Sequence, residues 1–236
     1  MALPINNAPV YNITIPSTGK KAKFRPFLVK EEKALLLAQQ SEDPSVMFDT
    51  LKAVIKDCCN GTVDVSSLAL FDIEYLFTQI RAKSVGEDTE ITVRCQHCDD
   101  EKAIVNVRID LTSMEVEKDP KHSNNIPLFD NVGVVMKYPT FDLLHKIDDK
   151  ESDISNIFDI VASCIDYIYD DTQVYHAKET DPKELETFLN NLTSEQLARI
   201  QLFFETMPKL TKQIEYNCPV CNADNNLKIE GLQNFF

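Results

Sequence analysis

Two Cys-x-x-Cys pairs, Cys95-Gln96-His97-Cys98 and Cys218-Pro219-Val220-Cys221, constrain this chain more than any other feature. Each follows a β-rich run (89–94 and 212–217) and precedes a polar turn and a second β-rich run (103–111 and 226–229). That is the outline of a hairpin whose tip presents two thiols. Two intervening residues let both sulfurs and the surrounding N–H groups converge on one ion, and two such knuckles supply the four ligands of a closed tetrahedral structural site. Cys95, Cys98, Cys218 and Cys221 are therefore the expected metal ligands, and Zn²⁺ the expected structural ion. A thioredoxin-type redox pair should open a helix, where the dipole lowers the thiol pKa; both pairs here are followed by polar turns instead. Unligated buried cysteines are the other alternative. His97 is the lesser choice as a substitute ligand.

Cys98 and Cys218 lie 120 positions apart, so closing both pairs on one ion dictates topology. The two hairpins must be neighbours, with the helices between them forming an inserted lobe. The expected fold is α+β, with helical N-terminal and inserted segments around paired zinc-ribbon-like hairpins joined by a four-cysteine site. The expected divisions are an N-terminal arm and first strand (1–19), a core (20–136 with 208–236) and a helical insertion lobe (137–207). Four thiolates leave no open coordination position, so such a site is a clasp rather than a catalyst.

At 236 residues with 43% apolar content, the chain is long enough for one large core or two small ones. It has no run approaching the roughly 20 apolar residues of a membrane span and no basic-then-apolar leader, so a cytoplasmic site of synthesis is expected. Seven cysteines in such a chain do not suggest disulfides. Cys58, Cys59 and Cys164 read as ordinary buried thiols. Thirty-eight acidic against 24 basic residues give a net charge of −14. Affinity for nucleic acid comes largely from clustered Lys and Arg, and neither knuckle has such a cluster, so protein partners are expected and nucleic acid is not.

Along the chain, residues 1–9 read as a loose arm. Residues 10–15 and 20–25 form a hairpin around Pro16-Ser17-Thr18-Gly19; its return strand carries the basic Lys20, Lys21, Lys23 and Arg25, a solvated face or a contact for an acidic partner. A helix over 31–40 has a wide apolar face expected at the centre of the core. Asp43-Pro44 opens the next helix, ending near Cys59. Ser66-Ser67 is the expected cap of a helix from Leu68 to Lys83, with Arg81 and Lys83 on its last turn.

At these positions the chain resembles a known family. Lys23-Phe24-Arg25-Pro26-Phe27-Leu28-Val29-Lys30-Glu31-Glu32-Lys33-Ala34-Leu35-Leu36-Leu37-Ala38 is similar to the N-terminal signature of the baseplate hub and hub-assembly proteins of T-even-like contractile-tail bacteriophages. So is Phe71-Asp72-Ile73-Glu74-Tyr75-Leu76-Phe77-Thr78-Gln79-Ile80-Arg81-Ala82-Lys83-Ser84-Val85-Gly86-Glu87, followed by the first knuckle. The likeness runs from about residue 15 to the second knuckle. It implies a virion-morphogenesis protein: a structural or assembly component of the baseplate hub, or a transient hub-assembly chaperone absent from the mature virion. It implies partners among baseplate-hub, tail-tube or wedge proteins, and location in the tail baseplate after assembly in the bacterial host cytoplasm. It does not imply an enzyme.

Farther on, residues 122–125 read as a polar turn and 132–138 as a strand. Thr140 caps a short helix ending near Ile147, and 148–153 form a charged loop. Residues 154–168 read as one apolar helix. Tyr167, Tyr169 and Tyr175 are interface anchors or covers for a helix end. Asp181-Pro182 opens a helix, and Thr193-Ser194-Glu195-Gln196 is a capping box for the next. Phe235-Phe236 either tucks onto its own domain or fills a partner pocket. The four histidines, His97, His122, His145 and His176, are scattered, and no catalytic signature or phosphate loop is present. No small-molecule substrate is therefore expected. An acidic zinc-ribbon adaptor in transcription and a hydrolase with an unrecognised site are the competing functional classes.

Overall fold

A computed structural model describes residues 7–41, 43–143 and 154–231. The first six residues of the expected arm, His145, the helix end near Ile147, the 148–153 loop and Phe235-Phe236 lie outside the described residues. The chain is α+β and divides into two compact units, Met1–Glu117 with Lys209–Phe236 (unit 1) and Lys118–Pro208 (unit 2).

Unit 1 opens with an antiparallel hairpin, β1 (Tyr11–Thr14) and β2 (Lys21–Phe24). Its turn closes through Gly19, whose φ of +67° suits a residue without Cβ. Helices α1 (Val29–Gln39), α2 (Pro44–Cys58) and α3 (Leu70–Ser84) follow. Asp43 caps α2 as expected, its Oδ1 accepting from the Ser45 N–H at 2.9 Å with Pro44 in the first turn. The cap of α3 differs from the Ser66-Ser67 expectation. Residues Val65–Ser67 form a 3₁₀ turn, and the carboxylate of Asp72 reaches back to the Ala69 N–H at 3.3 Å. The same carboxylate, fully buried, accepts from the backbone N–H and hydroxyl of Ser17 and so fixes the β1–β2 turn to α3.

The core of this half lies along α3 and the end of α2. Ile55, Cys58, Cys59, Ile73, Leu76 and Ile80 have no exposed surface. Burial pushes the Cys58 thiol up to about 12 and Cys59 up to about 11, the behaviour of inert thiols. Helix α1 corrects the expectation of a central position. It buries Glu31 and Ala38, while Leu36 and Leu37 stay more than half exposed. The basic stretch also divides. Lys20, Lys21 and Lys23 are exposed, but Arg25 bonds Glu31 at 2.7 Å and the Pro26 carbonyl at 2.9 Å. Glu31 also accepts from the Leu28 N–H at 2.8 Å. Burial alone would raise the Glu31 carboxyl, but Arg25, the Leu28 amide and Lys30 outweigh it and hold it down at about 2. The family-like segment around Arg25 is thus partly an internal ion pair at the start of α1.

Two hairpins complete unit 1. Strands β3 (Asp88–Arg94) and β4 (Ile104–Asp110) form one sheet. Strand β5 (Glu115–Glu117), β10 (Lys209–Asn217) and β11 (Asp224–Glu230) form another in the order β11-β10-β5. Alternation explains their pairing: Val93, Ile109, Leu210, Ile214 and Ile229 turn inward onto Ala82 of α3 and Met114.

Unit 2 is not purely helical, which departs from the expected lobe. Its sheet has the order β6-β7-β8-β9, from β6 (Asn125–Phe129), β7 (Val132–Met136), β8 (Ile165–Tyr169) and β9 (Val174–His176), antiparallel throughout. Residues 125–136, expected in the core, form β6 and β7 here, and β7 pairs with β8. The run expected as one helix breaks at Cys164: α4 (Ile154–Ser163) ends and β8 begins, because residues 165–169 are β-branched and aromatic at most positions. Gly133 lies under Tyr169, whose hydroxyl an added Cβ would strike. That hydroxyl donates to Asn125 at 2.8 Å, and Tyr175 donates to Asp170 at 2.8 Å, so these two tyrosines tie strands and turns within the unit. Helices α5 (Pro182–Asn190) and α6 (Ser194–Glu205) start at the expected caps, Asp181 and the reciprocal Thr193–Gln196 box. They place Leu185, Leu189, Ile200 and Phe203 on the sheet.

His122, expected in a polar turn, is buried at 8% exposure. Its Nδ1 lies 3.0 Å from the Thr206 hydroxyl and its Nε2 3.0 Å from the Tyr138 hydroxyl. Thr206 donates to the Leu202 carbonyl, so Nδ1–H donates to Thr206 and Nε2 accepts from Tyr138. Burial, with Lys118 nearby, lowers the imidazole pKa against the opposing pull of Asp119. The folded state then binds this proton less readily than the unfolded chain, so its stability is full above the unfolded value of about 6.5 and falls as pH drops below it. The melting temperature of the Lys118–Pro208 unit is expected to fall by a few degrees between pH 7 and pH 5, with a shallower dependence in His122→Gln, measured by thermal unfolding across that range.

Candidate metal centre

The four cysteines arrive from the tips of the two hairpins of unit 1. Cys95 follows β3 directly, with its N–H donating to the Ala103 carbonyl at 2.9 Å where β4 begins. Cys218 follows β10 and repeats the arrangement with Ala223 at 3.0 Å. The second tip turns through Asn222, in the left-handed region at φ +53°, where asparagine is tolerated. Two similar local folds therefore put two thiols each at equivalent positions.

All four Sγ atoms lie within 4.8 Å of one another. The close pairs run between the hairpins, Cys95 to Cys221 and Cys98 to Cys218, both at 3.7 Å. Cys95 and Cys218 are buried, Cys98 is half-buried and Cys221 is exposed. All seven cysteines are free thiols. Backbone amides point at the sulfurs: His97 N–H to Cys95 at 3.3 Å, Val220 N–H to Cys218 at 3.4 Å and Cys221 N–H to Cys218 at 3.5 Å. This is the amide arrangement that favours thiolate over thiol.

Burial opposes ionisation of Cys95, but the His97 amide and the thiols of Cys218 and Cys221 outweigh it and bring Cys95 down to about 6. Burial and then the neighbouring Cys221 push Cys98 up to about 12. One sulfur of the cluster gives up its proton easily and another resists. A cation shared by the four removes that mutual penalty, so this group has the donors and the spacing to hold a metal ion.

Other contacts hold the tips together. Asn225, 2% exposed, accepts from the Gln96 N–H at 2.9 Å and donates to the Ala223 carbonyl at 2.9 Å. Tyr216 donates from its hydroxyl to the Arg94 carbonyl at 2.7 Å. Both residues belong to the second hairpin and act on the first. Sequence reasoning passed over them, since Asn225 reads as one more polar turn residue; the position of Tyr216 two residues before Cys218 on an alternating strand was the available signal. His97 contributes its amide to the site, and His122 lies in unit 2.

Residues 8–236 match the family model described as T4 bacteriophage base plate protein. Among curated proteins, the chain is 24% identical over 229 residues to the baseplate hub assembly protein gp26 of Enterobacteria phage T4, covering 96% of this chain and 97% of that one. No solved structure matches. With a match from the first strand to the last residue, the chain belongs to the T4 bacteriophage base plate protein family.

Proposed function

We propose that this chain is a structural or assembly protein of the baseplate hub of a contractile phage tail, working by protein–protein binding, with a zinc ion on Cys95, Cys98, Cys218 and Cys221 as an internal clasp. The observation that carries the role is the near-complete, end-to-end correspondence with a hub assembly protein. The clasp rests on the chemistry and spacing of the donors. A tetrahedron with Zn–S bonds of about 2.3 Å has edges of about 3.8 Å, close to the 3.7 Å between the paired sulfurs. Zinc bound there supplies cross-linking between the two zinc-ribbon-like hairpins, and the four thiolates leave it no free position for a substrate. Lys118–Pro208 is then a lobe inserted between the two halves of the clasped core.

Phage carrying a stop codon in this gene should accumulate baseplate precursors without a hub, and complementation with the wild-type chain should restore tails. Normal tails from the stop-codon phage would exclude the assignment. Metal analysis of the purified chain should give one zinc per molecule. The name of the T4 relative, a hub assembly protein, supports a second reading in which the chain acts transiently. A mass-spectrometric inventory of purified virions separates the two: the scaffold is present in the particle and the chaperone is absent.

A further inference from the structure

Unit 1 contains a cleft of about 810 Å³ between strands β3 and β11. Six consecutive residues of β3, from Thr89 to Arg94, line one side. Side chains alternate between the faces of a strand, so a wall of consecutive residues is a strand edge with its backbone turned to the opening. The other side is again consecutive, Leu227, Lys228 and Ile229 of β11. Both are outer strands: among the described residues β3 pairs with β4 alone and β11 with β10 alone. Unpaired edges of this kind are templates for a further strand.

Arg81, on the last turn of α3, also lines the cleft and is half-buried. Its side-chain hydrogen bond is a long one, 3.5 Å to the Thr89 hydroxyl, and among the described residues it meets no carboxylate. Lys83, two residues on, is by contrast paired with Glu87. A guanidinium withdrawn from water without a carboxylate is costly, and its fork of donors matches a carboxylate in bidentate geometry. Arg94 adds positive charge against a single acid in the lining, Glu90, while Lys228 is paired with Glu117, in a chain whose net charge is −14. The cleft is thus locally basic, with two strand edges as walls and an unpaired arginine among its lining.

We propose that this cleft receives an extended, carboxylate-bearing segment of another protein, which pairs with the free edges of β3 and β11 and sets an Asp or Glu on the Arg81 guanidinium. A small anion would satisfy Arg81 and leave both edges unpaired. Nucleic acid is disfavoured by the overall charge. The proposal depends on neither the baseplate role nor the identity of the metal, because its test uses the intact, metal-loaded chain and reads peptide binding directly.

A random dodecapeptide library displayed on yeast is selected against the full chain, with Arg81→Gln and Arg94→Glu as comparison proteins of matched melting temperature. The expected peptides alternate β-branched residues with at least one Asp or Glu. They bind both variants at least tenfold more weakly, lose binding when a central residue is replaced by proline, and slow amide exchange in β3 and β11. The proposal is overturned if no sequence is enriched, if binding is indifferent to Arg81→Gln, or if protection falls outside those strands. It is likewise overturned if inorganic phosphate alone accounts for the Arg81 dependence, or if the wild-type chain self-associates through the cleft and Arg94→Glu abolishes that association, which makes a second copy the occupant.

Discussion

Cys218→Ser is expected to lower the stability of unit 1 by about 5 kcal/mol or more, on the scale of structural-metal loss, and to free the β10–β11 hairpin from β3 and β4. The hairpins meet through the cysteine cluster, the Gln96–Asn225 bond, the Tyr216–Arg94 bond and the apolar cluster that Val93 and Ile109 share with Leu210, Ile214 and Ile229. At the tips, beyond the reach of that apolar cluster, two hydrogen bonds, each contributing about 1 kcal/mol net, cannot replace an ion that neutralises four thiols. Strong chelation of the wild-type chain should give the same result. Thermal melting with and without metal measures the change, and amide exchange locates it: protection should fall in Asp224–Glu230 while Lys118–Pro208 stays unchanged. Identical melting of metal-free and metal-loaded protein would remove the clasp from the account.

Asp72→Ala is expected to cost about 3 kcal/mol. The carboxylate is wholly buried and accepts three hydrogen bonds, two from Ser17 and one from Ala69. Burial raises its pKa against the opposing pull of these bonds. Alanine leaves the Ser17 N–H and the buried Ala69 N–H without their acceptor and removes a negative charge from the first turn of α3, where the helix dipole favours one. Urea unfolding measures the loss, and Asp72→Asn, which keeps one acceptor oxygen, should recover part of it. An alanine variant as stable as the parent would show that the β1–β2 turn is not held through this contact.

Local signals in the sequence were read well where the chemistry is local. Asp43-Pro44, Asp181-Pro182 and the Thr193–Gln196 box each start a helix because a side-chain oxygen meets an N–H two or three residues on. The two Cys-x-x-Cys hairpins were legible for the same reason, as strand, tip and strand lie in one short stretch. What failed depends on partners distant in sequence. The leucines of α1 look like a core face, but Leu36 and Leu37 stay more than half exposed. The apolar run from 154 reads as a helix by hydrophobicity alone, whereas pairing with β7 draws its second part into a strand. His122 and Asn225 look like turn residues and become buried hydrogen-bonding centres only through Thr206 and Gln96. Asp72 stands in a family-like segment, yet its role as the anchor of Ser17 emerges only in three dimensions.

The antiparallel pairing of Glu117 with Lys209 brings the departure and return of the intervening chain side by side. Its consequence lies in the order of synthesis. A ribosome adding about 5–20 residues per second needs roughly 5–20 s to translate Lys118–Pro208, and throughout that interval the chain holds only half of its set of sulfurs, Cys95 and Cys98. The inserted lobe can therefore reach its native state first, while the N-terminal half stays unfinished until the final hairpin leaves the exit tunnel. A released chain truncated after Asn217 should be protease-resistant in Lys118–Pro208 and labile in the part before it.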